Sequence, residues 1–129
     1  MNYYLSIDAG TSIIKTVLFN KNFELVYITS VENKILTDQT GKSEIEMNKF
    51  WKSTSECIKS CILKSKINPL KIEAIGLTGN MVGAWPIDQS NKPIRNAILW
   101  NDTRSEQVFK LLKKKIQKYL KKYLIFQDQ

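Results

Sequence analysis

The sequence predicts an α/β domain in which strands and helices follow the order βββαβ, with helices flanking a mixed sheet. Three runs rich in β-branched and aromatic residues come first, separated by short turns. A long segment with apolar residues at helical spacing follows, and another apolar run comes after it. A strand reached through a helical crossover favours parallel pairing with an earlier strand, and this makes the predicted sheet mixed.

The first three strands are predicted at residues 3 to 7, 13 to 19 and 23 to 31. The segment Asn20-Lys21-Asn22 between the second and third runs is a typical turn sequence. Because short turns join consecutive strands, these three should pair as an antiparallel meander.

The crossover helix is predicted over residues 49 to 66, with Asn48 as its N-cap. Asn68-Pro69 ends it, and residues 72 to 78 are predicted to form a buried strand. The helix face expected to pack on the sheet comprises Phe50, Trp51, Thr54, Cys57, Ile58, Cys61 and Ile62.

The rest of the chain contains a glycine-containing loop at 79 to 83, a short strand at 84 to 87 and a turn cluster at 88 to 93. An apolar run then leads to Trp100, and a last helix is predicted to start near Asp102-Thr103, where Thr103 and Glu106 have the spacing of a capping box.

The amino-acid composition makes several kinds of catalytic and metal site unlikely. The 129 residues contain no histidine, which removes the commonest general base and zinc ligand, and the two cysteines lack a second ligand pair, so they are predicted to be core residues. The formal net charge is +8, but seven lysines lie at 106 to 129, where a solvated helix face is the favoured interpretation over a nucleic-acid or membrane contact. With neither a spanning segment nor a signal peptide evident, a cytoplasmic protein is expected.

The octapeptide DAGTSIIK, residues 8 to 15, is suited either to an ordinary hairpin turn or to a phosphate site. Gly10, Thr11 and Ser12 offer amides and hydroxyls to a polyphosphate, Asp8 could hold a divalent cation, and Lys15 could neutralise a phosphate. The spacing is not that of a Walker A loop, and a strand follows the turn where that loop has a helix.

Together with IGLTGNMVGAWPID at 75 to 88 and PIRNAILWNDTRS at 93 to 105, this octapeptide resembles the N-terminal part of the FGGY carbohydrate kinases. That group belongs to the actin-like ATPase superfamily and includes xylulokinase and glycerol kinase. The resemblance implies a ribonuclease H-like fold, here incomplete, with residues 1–105 as a portion of the kinase N-terminal domain. Residues 106–129 would then form a basic amphipathic helix and a divergent tail.

The resemblance also implies roles for individual residues, with ATP and Mg²⁺ as cofactors and a sugar or polyol as substrate. Asp8 corresponds to the magnesium-organising aspartate, Gly10, Thr11 and Ser12 to the turn around the ATP phosphates, and Lys15 to a basic position. The substrate positions implied are Met81, Val82, Trp100, Asn101, Asp102 and Arg104. No catalytic residue is implied in this chain, because the family's catalytic carboxylate lies in a later motif.

Two departures from the family limit what this chain is expected to do. Val82 stands where xylulokinase-like sequences have histidine and glycerol kinase-like sequences have glutamate. Because glycerol uses an Arg-Glu pair where this chain has Met81-Val82, a ketose or longer polyol is expected over glycerol. Family members are about four times longer, so the isolated chain is expected to be inactive. A separate C-terminal kinase domain or a second copy of the chain is then an expected partner.

The ribonuclease H-like fold also serves nucleases, so a nucleic-acid enzyme or binder is the alternative function. Two-metal cleavage needs several acids around the first strand, but the predicted strand at 72 to 78 ends in Thr78 and Gly79. This argues against a nuclease, and neither a nucleic-acid partner nor a membrane is expected. A non-catalytic partner that docks through the last helix is a third hypothesis.

Overall fold

In the computed structural model, which describes residues 2–123, the chain forms two four-stranded sheets and two long helices. In chain order the elements are β1 (Tyr3–Ala9), β2 (Ile13–Asn20), β3 (Leu25–Glu32), β4 (Leu36–Thr37), β5 (Ser43–Ile45), α1 (Met47–Ser65), β6 (Ile72–Gly79), β7 (Gly83–Ala84), β8 (Ala97–Leu99) and α2 (Glu106–Tyr123). A short 3-10 helix, Pro69–Lys71, lies between α1 and β6.

The first sheet has the order β3-β2-β1-β6 and confirms the predicted topology. β1 and β2 pair antiparallel, as do β2 and β3, so the N-terminal strands form the expected meander. β6 pairs with β1 in parallel after the helical crossover, which makes the sheet mixed. In this register Ala9 lies beside Gly79, so both parallel strands end at the same edge.

One face of this sheet is covered by α1, and the main core lies between them. Leu5, Ile7, Leu18 and Cys61 form a buried cluster. Thr16 is fully buried beside the helix, and its hydroxyl donates to the Sγ of Cys57 at 3.4 Å. Both cysteines are buried and free, as the sequence predicted. Burial also raises the pKa of the Cys61 thiol, which keeps it protonated and unreactive.

Two details of the α1 prediction are wrong. The helix begins at Met47 with Glu46 as N-cap, and Asn48 lies in its first turn, because the buried strand β5 runs almost directly into the helix. Trp51 is 71% exposed. The buried face of α1 is set by Thr54, Cys57 and Cys61, and at 100° per residue Trp51 points roughly 90° away from it.

The sequence did not predict the second sheet, which has the order β4-β5-β8-β7. Its strands are two or three residues long, too short for a readable alternation. Its buried cluster consists of Ile45, Ala97 and Leu99, and Phe50 of α1 and Trp85 pack against it. The rings of Phe50 and Trp85 meet edge to face, with their centroids 5.3 Å apart. This small sheet joins the segment before α1 to the segment that ends in Trp100.

β6 was predicted to be buried, and this is wrong for most of its length. The strand lies at the edge of the first sheet, and α1 packs over β2 and β3. Ile75 and Leu77 therefore remain 63% and 74% exposed, although they lie next to the buried Leu5 and Ile7 in register.

The last helix starts later than predicted, at Glu106 and not near Asp102-Thr103. The Thr103 hydroxyl donates to the carbonyl of Gly41, and the Asp102 carboxylate accepts the backbone N–H of Arg104, so these residues form a turn. Residues 124–129 of the predicted divergent tail lie outside the described residues. Within residues 2–123, no helix is long and apolar enough to cross a membrane.

Candidate functional site

The turn between β1 and β2 is held in shape by Asn33, which follows β3. The Asn33 side-chain amide donates to the carbonyls of Gly10 and Thr11 at 2.9 and 3.2 Å. Its backbone N–H donates to the carbonyl of Ser12 at 2.8 Å. Three consecutive carbonyls of the turn are thus satisfied by one residue, and the turn is pre-organised without a ligand.

Two glycines allow the strand ends to approach closely. A Cβ atom on Gly10 would lie 2.6 Å from the carbonyl oxygen of Ile13, and one on Gly79 would lie 2.9 Å from that of Ala9. Both distances are too short for any larger residue without a backbone shift. Gly76, in the same strand as Gly79, has no neighbouring atom within 4 Å of such a Cβ, so the constraint belongs to the strand ends.

These strand ends border a cleft of about 440 Å³. It is lined by Asp8, Gly10, Thr11, Gly79, Asn80, Met81, Val82 and Trp100. The cleft lies at the carboxyl edge of the parallel pair β1 and β6, which is where α/β sheets commonly bind ligands. Residues from all three quoted sequence blocks therefore meet around one opening, and the indole of Trp100 is 65% exposed there.

A second, more apolar cleft of about 500 Å³ adjoins the first and shares Gly79, Asn80 and Met81 with it. Leu77 and Trp85 contribute to its lining. The loop that follows β6 therefore contributes to both clefts, of which the one beside the turn is the less apolar.

Five of the predicted site residues lie outside the lining of the first cleft. Ser12 is in the turn but exposed beyond its rim, and Lys15 lies opposite Asp8 in the register of β1 and β2. The other three are Asn101, Asp102 and Arg104, and they form contacts with β5.

The buried carboxylate of Glu44 in β5 is the centre of an ion-pair network whose basic partners are partly exposed. Glu44 is only 4% exposed, and its Oε1 lies 2.6 Å from Arg95 Nη2 and 2.7 Å from Arg104 Nη2. Asn96 donates to its other oxygen at 3.3 Å, and Lys42 approaches that oxygen to 3.7 Å. The hydrogen bond from Arg104, helped by Asn96 and by the charge of Lys42, lowers the pKa of Glu44 despite its burial.

Asp102 extends this network to the segment after Trp100. Arg104 donates to the Asp102 carboxylate from Nε at 3.0 Å and from Nη2 at 2.6 Å, a bidentate geometry. The backbone N–H of Ser43 donates to the same carboxylate at 2.9 Å, and the Ser43 hydroxyl donates to Asn101 at 2.8 Å. Hydrogen bonds from Arg104 hold the pKa of Asp102 well below its usual range, and Asp102 in turn raises the pKa of Arg104.

Sequence reasoning missed Glu44, Asn33 and Asn80. Glu44 and Asn33 lie between the quoted blocks, and their partners are distant in sequence, so nothing local distinguished them from ordinary polar residues. Asn80 lies within the second block, between the strand end and the two predicted substrate positions. Its position there was the signal available.

The donor set at Asp8 suits Mg²⁺. Within residues 2–123 no group of three or more acidic, cysteine or histidine side chains could hold a metal ion by itself. Mg²⁺ is commonly held by one or two carboxylates together with substrate phosphates and water, and a single aspartate beside an open cleft fits that pattern.

A mixed sheet of this topology, with a small-residue turn at the edge of its parallel pair, has the ribonuclease H-like arrangement of the actin-like ATPases. The FGGY family of carbohydrate kinases, N-terminal domain, matches residues 3–126, and the chain belongs to this family. That match runs into the segment beyond residue 105.

Individual relatives agree with this assignment. The chain is 38% identical to a xylulose kinase of Staphylococcus xylosus over 116 residues, 90% of this chain and 24% of that protein. It is 34% identical to a probable L-xylulose kinase of Pasteurella multocida, over 81% of this chain and 22% of that protein. The crystal structure of a xylulose kinase from Brucella ovis matches 90% of this chain and 24% of its own, with a TM-score of 0.75 and 30% identity. The chain thus spans about a quarter of the length of these relatives.

Proposed function

We propose that this chain is the N-terminal part of an ATP-dependent kinase that transfers the γ-phosphoryl group to a hydroxyl of a ketose or polyol. The observation that carries the proposal is the shared cleft, because Asp8, Gly10 and Thr11 line the same opening as Met81, Val82 and Trp100. Phosphoryl transfer requires the donor phosphate and the acceptor hydroxyl to be held in line, so their binding residues must converge in this way.

In the proposal, the turn between β1 and β2 receives the phosphates of ATP. Gly10 and Thr11 supply a close backbone approach and a hydroxyl donor, and Asp8 holds Mg²⁺ directly or through water. The bound ion would neutralise charge on the phosphates. Ser12 and Lys15 lie outside the cleft lining, and their contacts with the phosphates stay a prediction.

The part of the cleft lining formed by Met81, Val82 and Trp100, here called the sugar wall, would bind the sugar. The exposed indole of Trp100 offers a flat apolar surface, and Met81 and Val82 complete it. Met81 and Val82 stand where the family resemblance places the Arg-Glu pair that holds glycerol, and this difference supports a ketose or longer polyol over glycerol. Contacts from Asn101, Asp102 and Arg104 to the substrate stay a prediction, while their bonds to β5 support the segment that carries Trp100.

We further propose that the 129-residue chain alone gives little or no turnover. The family resemblance assigns the catalytic carboxylate and the remainder of the ATP clamp to later motifs. The partner would be a separate C-terminal kinase domain or a second copy of the chain. The enzyme would act in the cytoplasm. A coupled ADP-release assay with a panel of pentuloses and polyols should give no sugar-dependent rate, and robust turnover would refute this part.

Binding of the sugar can be measured without turnover. The chain has three tryptophans, and in a ¹H–¹⁵N spectrum the indole signal of Trp100 should shift saturably with D-xylulose. Trp51 is similarly exposed but lies on α1, so its indole signal is an internal control that should not move. Equal shifts of both indoles, or no shift of either across the panel, would contradict the assigned sugar wall.

A further inference from the structure

Asn80 connects the two halves of the cleft. Its backbone N–H donates to the carbonyl of Ala9 at 3.2 Å, which extends the β1–β6 pairing by one residue. Its side-chain Nδ2 donates to the hydroxyl oxygen of Thr11 at 2.7 Å. The residue immediately before Met81 and Val82 is therefore bonded once to the end of β1 and once to the turn at residues 10–12, here called the phosphate turn.

The direction of the side-chain bond determines what the Thr11 hydroxyl can do. A threonine hydroxyl has one proton to donate and two lone pairs that accept. Because Asn80 donates to the oxygen, one lone pair is used and the proton stays available. Thr11 and Asn80 both line the cleft, so that proton is available to an anion bound there.

The other end of the amide argues for function over stability. Asn80 Oδ1 is buried and has no hydrogen-bond partner among the described residues. A buried acceptor without a partner costs about 1–3 kcal/mol, whereas a net hydrogen bond such as Asn80 to Thr11 returns about 1 kcal/mol. An apolar side chain would avoid that cost, so the donor function of the amide is the physical reason for having asparagine here.

We propose that Asn80 is a positioning residue that fixes the Thr11 hydroxyl with its proton directed to the phosphate chain of the nucleotide. This inference rests on the proposed function, because it requires phosphates at the turn. It also gives the loop carrying Met81 and Val82 a direct mechanical connection to the nucleotide, since displacing Asn80 displaces the hydroxyl donor. Asn33 holds the same turn by donating to the backbone carbonyls of Gly10 and Thr11, and it makes no bond to the Thr11 hydroxyl.

The test is a titration of the full 129-residue chain with MgATP, followed through the backbone amide signals of Gly10, Thr11 and Ser12. Asn80→Asp replaces the donor by an acceptor of the same shape and adds negative charge, and it should weaken binding about tenfold or more. Asn80→Ala should weaken binding several-fold while leaving the urea midpoint of unfolding unchanged or raised. A purely structural role would lower that midpoint instead.

A double-mutant cycle isolates the hydroxyl. In the Thr11→Val background, which lacks the hydroxyl, Asn80→Ala should have no further effect on MgATP binding. Wild-type affinity in both Asn80 variants, or additive effects in the cycle, would refute the role proposed for Asn80 and leave the proposed function of the chain standing. If wild-type chain shows no MgATP-dependent shift at the turn, the phosphate site of the proposed function fails, and the role of Asn80 fails with it.

Discussion

Replacing Glu44 with alanine is expected to lower the free energy of unfolding by about 3 kcal/mol. Glu44 is the buried acceptor for two arginines, and it ties β5 to the segment that carries Trp100. Its removal leaves Arg104 with Asp102 as its remaining carboxylate partner and opens space within the small sheet.

The magnitude follows from the exposure of each partner. The side chain of Arg95 is 49% exposed, so its ion pair with Glu44 contributes at most about 0.5 kcal/mol. Arg104 is 33% exposed, and the hydrogen bond between it and a buried carboxylate contributes about 1.5–3 kcal/mol. Lost packing of the Glu44 stem brings the total to about 3 kcal/mol, below the upper end found for broken buried pairs.

Urea unfolding followed by far-UV circular dichroism measures this difference, which corresponds to about 1.5 M in the midpoint. Glu44→Gln keeps one acceptor for Arg104 and should lose about half as much. Glu56→Gln is the matched control, because Glu56 pairs with Lys52 on the exposed face of α1 at 3.9 Å and should change stability by less than about 0.5 kcal/mol. Equal midpoints for Glu44→Ala and the Glu56 control would refute the assigned network.

Three further outcomes are expected. Gly79→Ala should destabilise the chain and abolish the MgATP-dependent shifts, because the added Cβ would lie 2.9 Å from the Ala9 carbonyl oxygen. Gly76→Ala should be tolerated, because the space around Gly76 is open. Equal effects of the two substitutions on urea unfolding would contradict this prediction. Folding lowers the pKa values of the Glu44 and Asp102 carboxyl groups, so the stability that they contribute is present above about pH 4 and is lost as the pH falls further. Urea midpoints measured from pH 7 to 3 should show this loss, and the loss should be smaller in Glu44→Gln. The two cysteines of α1 should react with a thiol reagent only after denaturation, and rapid labelling of the native chain would disprove their burial.

The long elements could be predicted from the sequence because their signals are local. β1, β2 and β3 are runs of seven or eight residues rich in β-branched and aromatic side chains, and the crossover helix repeats its apolar residues at helical spacing. The short strands β5 and β8 escaped prediction because they are defined by pairing with each other across the chain, at Glu44–Ile98 and Ile45–Ala97. Trp51 was wrongly placed in the core because its apolar character outweighed its position, roughly 90° from the helix face set by Thr54, Cys57 and Cys61.

The sequence could predict those site residues whose side-chain chemistry and neighbouring residues already suggest a role. Asp8, Gly10 and Thr11 share a short segment, and Trp100 belongs to a recognisable block, so their place around one cleft follows from the family topology. The supporting residues were not predictable in the same way. Glu44 has its effect through partners more than fifty positions away, and only the fold brings them together.

The central claim is that the phosphate turn and the sugar wall belong to one binding cleft. The most direct measurement is a ¹H–¹⁵N titration of a single sample, first with MgATP and then with D-xylulose. MgATP should shift the amides of Gly10 and Thr11, and D-xylulose should then shift the Trp100 indole. Shifts confined to the lysine-rich helix α2, with the turn and Trp100 unmoved, would contradict it.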